Sequence, residues 1–294
     1  MTVRLAAYSG FCFGVRRAID LAREAAQGAE KVYTYGALIH NPEYVRELEE
    51  EKIFAINEIS KLHDSTVIIR SHGIRKQDYQ QLLEQGNKLI DATCPYVKRT
   101  HEITEQANKE GYPVFIFGDK DHPEVLGIES YGDDKTRVFA HGEDLGEIAH
   151  TRLCIISQTT QKIAHFKEMV CKILPEVQEL RTFNTICLAT SQRQKASVDL
   201  AKASDFMVVI GGKTSANTKM LAELCSQYSP TVHIERAKEL KIIDFEGKKR
   251  IGIAAGASTP SDHIIEVYNK ILKINGEEEH ASSISEIPLF KEES

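Results

Sequence analysis

Three cysteines recur at nearly equal intervals along this chain of 294 residues. Cys12, Cys94 and Cys187 each lie where an apolar, strand-like run passes into a helical pattern. Recurrence at a long period predicts that one strand–loop–helix plan is used three times, with one thiol in each copy. A single metal centre between the three copies would explain the pattern.

Composition limits the class of protein. Hydrophobic residues make up 41% and charged residues 27% of the chain, as in ordinary globular proteins. A net charge of −6 without a long Lys/Arg run argues against a nucleic-acid partner. No apolar stretch approaches the roughly 20 residues that span a bilayer, and a strand-like run, Val3–Tyr8, stands where a signal peptide would lie. We therefore expect a cytoplasmic protein without a membrane partner, whose six cysteines are thiols or metal ligands.

Short apolar runs alternate with helical patterns along the whole chain, which predicts an α/β fold with parallel sheets. The predicted strands include Thr66–Arg70, Val114–Phe117, Leu153–Ser157, Phe206–Ile210 and Ile251–Ala254. The predicted helices include Val15–Gln27, Pro42–Glu50, Pro95–Glu110, Ser191–Ala203 and Ser261–Leu272. The acidic, Ser-rich tail after Gly276 is expected to pack loosely or to become ordered on binding.

Loops at the strand ends form three families, and each family has three members. The first family is Thr34–Pro42, Ile116–Pro123 and Val209–Asn217. The second is Ile69–Ile74, Ile156–Thr160 and Ala254–Pro260, and the third, which holds the cysteines, is Ser9–Cys12, Asp91–Pro95 and Thr185–Cys187. The sequence thus predicts three pseudo-threefold-related α/β modules with parallel sheets around a central site. The predicted modules are residues 13–94, residues 95–187, and residues 188–275 together with 1–12, followed by a tail of residues 276–294.

Several of these loops are expected to bind an anion. Pro42, Pro95, Pro123 and Pro260 directly follow candidate loops, and proline is favoured at the first position of a helix. Ligands of parallel α/β sheets bind beyond the carboxyl ends of the strands. Helix N-termini in that place offer N–H groups and a positive dipole end, which suit phosphate.

The cysteine pattern is compatible with two kinds of metal centre. A helix N-terminus lowers the pKa of a thiol and favours the thiolate. Three thiolates can hold tetrahedral zinc with one open position, or an iron–sulfur cubane whose fourth iron has no protein ligand. Residue chemistry alone leaves both open. Cys154, Cys171 and Cys225 are expected to be core residues instead.

Polar residues at the strand ends form a candidate binding pocket. In the first two modules these residues are His40, His72 and His122, and in the third they are Ser215, Asn217 and Ser258. Helix capping is an alternative role for the serines and the asparagine.

Glu124 is a candidate proton donor. Glu124 falls in the first turn of its predicted helix and could donate a proton if burial raises its pKa. The loop Gln158–Thr160 could position a hydroxyl near it. A carboxylate in this position could also serve only to complement the helix dipole.

Seven motifs of the chain, in this order, resemble those of the 4-hydroxy-3-methylbut-2-enyl diphosphate reductases, the LytB family. They are Gly10–Ile19, Leu38–Pro42, Arg70–Gly73, Asp91–Pro95, His122–Val125, Ser157–Thr160 and Gly256–Ser258. The resemblance implies reductive dehydroxylation of (E)-4-hydroxy-3-methylbut-2-enyl diphosphate to isopentenyl and dimethylallyl diphosphates. That reaction is the last step of the non-mevalonate isoprenoid pathway.

The resemblance also implies roles for individual residues. Cys12, Cys94 and Cys187 match the ligands of a [4Fe–4S] cluster, Glu124 matches the proton donor, and Thr159 matches the hydroxyl that orients substrate and acid. The matching diphosphate pocket is His40, His72, His122, Ser215, Asn217 and Ser258. A ferredoxin or flavodoxin-type protein is the implied electron donor.

One position departs from the family pattern. The family usually has Ser-Ser-Asn where this chain has Ser215, Ala216 and Asn217. Ala216 can offer diphosphate only its backbone N–H, and losing one neutral hydrogen bond typically costs about 1 kcal/mol.

Two other classes of protein are alternatives. One is a zinc-dependent hydrolase of a phosphorylated metabolite, and the other is a non-catalytic iron–sulfur sensor or electron carrier. A carrier normally completes its cluster with four protein ligands, so three cysteines beside a candidate acid favour catalysis.

Overall fold

The computed structural model describes residues 1–28, 31–39, 41–142, 145–146, 148, 151–277 and 280–290. These residues form three four-stranded sheets in which every pair of neighbouring strands is parallel. The prediction of three α/β modules with parallel sheets is therefore confirmed. None of the helices within the described ranges has both the length and the hydrophobicity needed to cross a bilayer.

The strands in chain order are β1 (Thr2–Leu5), β2 (Val32–Tyr35), β3 (Ile53–Ile56), β4 (Thr66–Ile69), β5 (Lys88–Asp91), β6 (Val114–Phe117), β7 (Arg137–Phe139), β8 (Arg152–Ser157), β9 (Glu179–Thr182), β10 (Phe206–Ile210), β11 (Thr231–Ile234) and β12 (Arg250–Ala255). The α-helices are α1 (Phe13–Gln27), α2 (Pro42–Glu50), α3 (Lys76–Glu84), α4 (Pro95–Lys109), α5 (Pro123–Glu129), α6 (Ile163–Ile173), α7 (Leu188–Lys202), α8 (Ala216–Ser226) and α9 (Ser261–Ile274).

The three sheets share one strand order. They read β3-β2-β4-β5, β7-β6-β8-β9 and β11-β10-β12-β1. The N-terminal strand β1 joins the last sheet, with Thr2 opposite Arg250 and Leu5 opposite Ile253. Repetition of the order shows that the periodic cysteines belong to a repeated topology.

The chain divides into two compact units. Unit 1 consists of Met1–Arg16, Ile39–Arg46 and Ala189–Ser294 and contains the third sheet. Unit 2 consists of Arg17–Leu38 and Glu47–Leu188 and contains the first two sheets. The residue limits of the three modules stay a prediction.

The central strands are buried on both faces. In β6, Val114 and Ile116 pack into one hydrophobic cluster, whereas Phe115 and Phe117 pack into another. Alternate residues of a strand point to opposite faces, so each face of this sheet has its own core. A continuous apolar run is typical of such a strand, which explains why the limits of β6 and β10 match the prediction.

Three helices begin at the residue directly after a cysteine. They are α1, which begins at Phe13, α4, which begins at Pro95, and α7, which begins at Leu188. The predicted starts of α1 and α7 were two and three residues later, because Phe13 and Leu188 lack the Pro and Ser/Asp signals of a helix start. The helix N-termini therefore lie closer to the cysteines than predicted.

The described part of the C-terminal tail packs more tightly than expected. Leu5 N–H donates to the carbonyl of Pro288 at 2.8 Å, and Phe290 N–H donates to the carbonyl of Leu5 at 2.9 Å. Ala281 and Ile287 are buried in the core of unit 1. The expectation of loose packing is wrong for residues 280–290, because two of their apolar side chains enter the core and their backbone forms a parallel bridge between Leu289 and Leu5.

Candidate active site

The three cysteine loops are fixed by the same backbone contact. In each module the N–H of the cysteine donates to a carbonyl of the second loop family. The pairs are Cys12 with Ala257 at 3.1 Å, Cys94 with Ser71 at 2.9 Å and Cys187 with Thr159 at 2.9 Å. The second and third loop families thus lie side by side, which places each cysteine beside a candidate substrate-binding loop of its own module.

The six cysteines differ in exposure. All are free thiols, and Cys12, Cys94 and Cys187 are half-buried. Burial raises the pKa of both Cys154 and Cys225 to about 12, so these two remain protonated core residues, as predicted.

The prediction for Cys171 is wrong, because this residue is exposed. The buried residues of α6 are Phe166, Met169 and Ile173. Helical periodicity places Cys171 away from this stripe.

Two arginines that the sequence analysis missed brace the cysteine loops. Arg193 on α7 is buried and donates to the carbonyls of Tyr8 at 2.8 Å and Gly10 at 2.9 Å, just before the first cysteine. Arg17 on α1 donates to two carbonyls just before Cys94, at 3.3 and 3.4 Å. Arg193 lies on the buried face of α7 with the polar residues Thr190 and Ser197, so no clear apolar periodicity marks that face in the sequence.

Glu124 is the most perturbed acid of this region. Its side chain is 1% exposed, and burial raises its pKa to about 7. Thr159 donates its N–H to Oε1 at 2.6 Å and its hydroxyl to Oε2 at 2.9 Å, which partly opposes that rise. The structure thus brings together the two residues that the sequence pairs, and the carboxyl can change protonation near neutral pH.

Two half-buried histidines belong to the same unit. The rings of His72 and His122 meet edge to face, with 5.6 Å between their centroids. His122 precedes α5, and its Nδ1 accepts the N–H of Glu124 at 3.2 Å. A neutral imidazole that accepts at Nδ1 carries its proton on Nε2, where it can donate to an anion. His40 lies outside the described residues.

Unit 1 contains the remaining polar candidates. Ser215 caps α8, with Oγ accepting the N–H of Thr218 at 3.4 Å, and Ala216 is exposed at the start of the helix. Ser258 and Asn217 are each 8% exposed. Within the described residues, neither amide atom of Asn217 has a hydrogen-bond partner. The buried hydroxyl oxygen of Thr218, which sequence reasoning missed, also lacks a hydrogen-bond partner among the described residues.

Buried polar groups are normally hydrogen-bonded, so the Asn217 amide is suited to bind a polar ligand. In unit 2 the buried acid, the two histidines and the strand-end loops define an α/β enzyme site suited to an anionic substrate and to proton transfer. Half-buried thiols at the helix starts add potential metal ligands.

The profile of the LytB protein family matches residues 3–272, and this chain belongs to that family. A relative named 4-hydroxy-3-methylbut-2-enyl diphosphate reductase, from Geotalea uraniireducens, is 44% identical over 282 residues, covering 95% of this chain and 100% of its own. A relative of the same name from Aquifex aeolicus is 45% identical over 276 residues, covering 92% and 96%. The resemblance found in the motifs is confirmed, and membership of this family implies a metal cofactor.

Two solved structures are similar to this chain. The structure of (E)-4-hydroxy-3-methyl-but-2-enyl diphosphate reductase, described as the terminal enzyme of the non-mevalonate pathway, is 43% identical, with a TM-score of 0.71 over 93% of this chain and 100% of its own. The E-1-hydroxy-2-methyl-but-2-enyl-4-diphosphate reductase from Plasmodium falciparum has a TM-score of 0.86 over 99% of this chain and 95% of its own. At 24% identity the latter supports the fold alone.

Proposed function

We propose that this protein reduces (E)-4-hydroxy-3-methylbut-2-enyl diphosphate to isopentenyl diphosphate and dimethylallyl diphosphate. The reaction consumes two electrons and two protons and releases the hydroxyl group as water. The observation that carries the proposal is Glu124, a buried acid whose N–H donates to His122, whose carboxyl is held by Thr159 and whose pKa burial raises to about 7. An acid with this pKa is partly protonated at neutral pH and can act as a general acid.

Cys12, Cys94 and Cys187 are the proposed ligands of a [4Fe–4S] cluster. Three thiols suit this cluster as ligands. Each is half-buried, belongs to a cysteine whose N–H makes the equivalent backbone hydrogen bond in its module, and directly precedes a helix. A thiol at a helix N-terminus favours the thiolate that binds iron. When bound, the cluster supplies electrons and, at the iron without a protein ligand, a Lewis acid.

The diphosphate is proposed to bind to the polar residues at the strand ends. They are His40, His72, His122, Ser215, Asn217 and Ser258, with Ala216 contributing its backbone N–H. The Asn217 amide, which has no hydrogen-bond partner among the described residues, supports this assignment, and so does His122, because an imidazole that accepts at Nδ1 can carry a proton on Nε2. Histidines, hydroxyls and amides can hold the anion without a lysine or arginine at every contact.

Proton transfer is assigned to Glu124. The protonated carboxyl donates its proton to the departing hydroxyl oxygen of the substrate. The N–H and hydroxyl of Thr159 already contact both carboxyl oxygens and stabilise the carboxylate that remains. Thr159 thereby holds the acid in one orientation for the substrate.

The electrons are proposed to come from a ferredoxin or flavodoxin-type protein, and the site of action is proposed to be the cytoplasm. No residue assignment depends on either proposal.

The test uses anaerobically purified protein and a chemical reductant. Glu124→Gln should retain iron and lose turnover, because glutamine keeps the shape of the acid but cannot donate its proton. Cys12→Ser, Cys94→Ser and Cys187→Ser should each lose iron, whereas the exposed Cys171→Ser should retain it. Turnover of Glu124→Gln near the wild-type rate would contradict the role of the acid, and undiminished iron in the three serine variants would contradict the ligand set.

A further inference from the structure

A polar cleft with a volume of about 220 Å³ lies within unit 2. Its polar lining includes Tyr35, Asn57, Arg70, Arg75 and Asp78. None of the described residues that line it belongs to the diphosphate pocket proposed above. The cleft therefore has to be explained separately.

Arg70 lines this cleft and makes no hydrogen bond with a described residue, although the carboxylate of Asp78 acts on it electrostatically. Its guanidinium lies against Gly36, where φ is +76° and an added Cβ would come within 2.6 Å of Nη1. Burial lowers the pKa of Arg70, but an arginine remains a cation at any physiological pH. Among the described residues its side chain has no hydrogen bond or ion pair, and its Nε is fully buried. Leaving a buried charged donor unpaired is costly, so the site favours an anion.

The charged groups that line the cleft are positive on balance. Arg75, at the start of α3, is exposed and likewise makes no ion pair with any described residue. Asp78 is the one acid among the described lining residues, and it accepts the hydroxyl of Tyr35 at 3.3 Å. Two arginines against one carboxylate leave a net positive cleft. The Asn57 amide adds two further N–H donors.

We propose that the cleft between Arg70 and Arg75 binds a small phosphate-bearing molecule. Guanidinium groups match phosphate oxygens with paired hydrogen bonds, and several donors around one cleft suit an anion with more oxygens than a carboxylate has. Arg70 lies two residues before His72, and Pro123, which also lines the cleft, directly follows His122. The ligand would therefore contact the two loops that carry histidines of the proposed substrate pocket.

The test observes the arginine side chains directly. Full-length, anaerobically purified protein labelled with ¹⁵N-arginine is titrated with inorganic phosphate, with chloride keeping the ionic strength constant. The Nε–H signals of Arg70 and Arg75, assigned with Arg70→Lys and Arg75→Lys, should shift and saturate together. Arg75→Gln should weaken phosphate binding about tenfold or more, because a charge-assisted hydrogen bond is lost. Arg99→Gln, which removes another exposed arginine of unit 2, should have no effect.

Three results would overturn the proposal. They are an Arg70 signal that fails to saturate, an equal response to acetate, and unchanged binding in Arg75→Gln. Asn217→Ala separates the two sites, since phosphate binding in the cleft should persist in that variant. Loss of the Arg70 response in Asn217→Ala would assign the effect to the substrate pocket instead. The titration needs no turnover, so it stays decisive even if the proposed reaction fails.

Discussion

Replacing Glu124 with glutamine should remove a pH dependence of stability that this residue creates. The carboxyl has a pKa of 4.5 as an ordinary glutamate and about 7 in the folded protein, because burial disfavours the carboxylate. Between these values the folded protein binds a proton that the unfolded chain has lost. The contribution of the group is therefore complete below pH 4.5 and is lost as the pH rises through about 7. At roughly 1.4 kcal/mol per pKa unit, the loss is about 3 kcal/mol.

Glutamine preserves the contacts of the protonated acid. Its amide oxygen can accept the N–H of Thr159, and its amide nitrogen can donate to the hydroxyl oxygen. Glu124→Gln should therefore match the wild type near about pH 4 and should be the more stable protein at about pH 8. Anaerobic urea unfolding at the two pH values measures this difference. Other titrating groups act equally in both proteins and cancel in the comparison.

Glu129→Gln serves as the matched control, because Glu129 is an exposed glutamate of the same helix. It should lose as much stability as the wild type between the two pH values. The infrared band of a protonated carboxyl gives an independent check: it should disappear near pH 7 in the wild type and be absent from Glu124→Gln. If the wild type and Glu124→Gln show the same pH dependence, the buried-acid argument is refuted.

Three further substitutions test the neighbouring groups. Thr159→Val removes a hydrogen bond that lowers the pKa of Glu124, so the alkaline limb of the pH–rate profile should move to higher pH; a shift to lower pH would contradict the assignment. Asn217→Leu should raise the KM by roughly tenfold or more, since a hydrogen bond to a charged group is worth about 1.5–3 kcal/mol, while urea unfolding shows no loss of stability because the amide has no described partner. Ala216→Ser should lower the KM by about fivefold, for a gain of about 1 kcal/mol; an unchanged KM would show that the hydroxyl does not reach the substrate.

Local pattern in the sequence determined much of the fold. Continuous apolar runs predict the limits of β6 and β10, and a proline at the first helical position predicts the start of α2 and α4. These signals depend on neighbours in the chain. The recurrence of Cys12, Cys94 and Cys187 likewise predicts a threefold plan, and the shared strand order of the three sheets follows that plan.

Other properties depend on packing between distant segments. Cys171 was expected in the core, but its orientation depends on which face of α6 meets the sheet. The tail packs against β1 because Pro288 and Phe290 hydrogen-bond to Leu5 at the other end of the chain. The apolar residues Phe166, Met169 and Ile173 mark the buried face of α6 in the sequence, whereas the contact of the tail with β1 leaves no periodic signal.

Residue types at the strand ends were sufficient to nominate Glu124 as the acid and the loop Gln158–Thr160 as the source of a nearby hydroxyl, whereas the family resemblance selected Thr159. The protonation behaviour of the acid was decided by tertiary structure alone. A pKa near 7 requires that water be excluded from the carboxyl, while two donors from a loop 35 residues away hold it in place. A sequence specifies which groups can meet, but the dielectric environment of a group depends on every segment that packs around it.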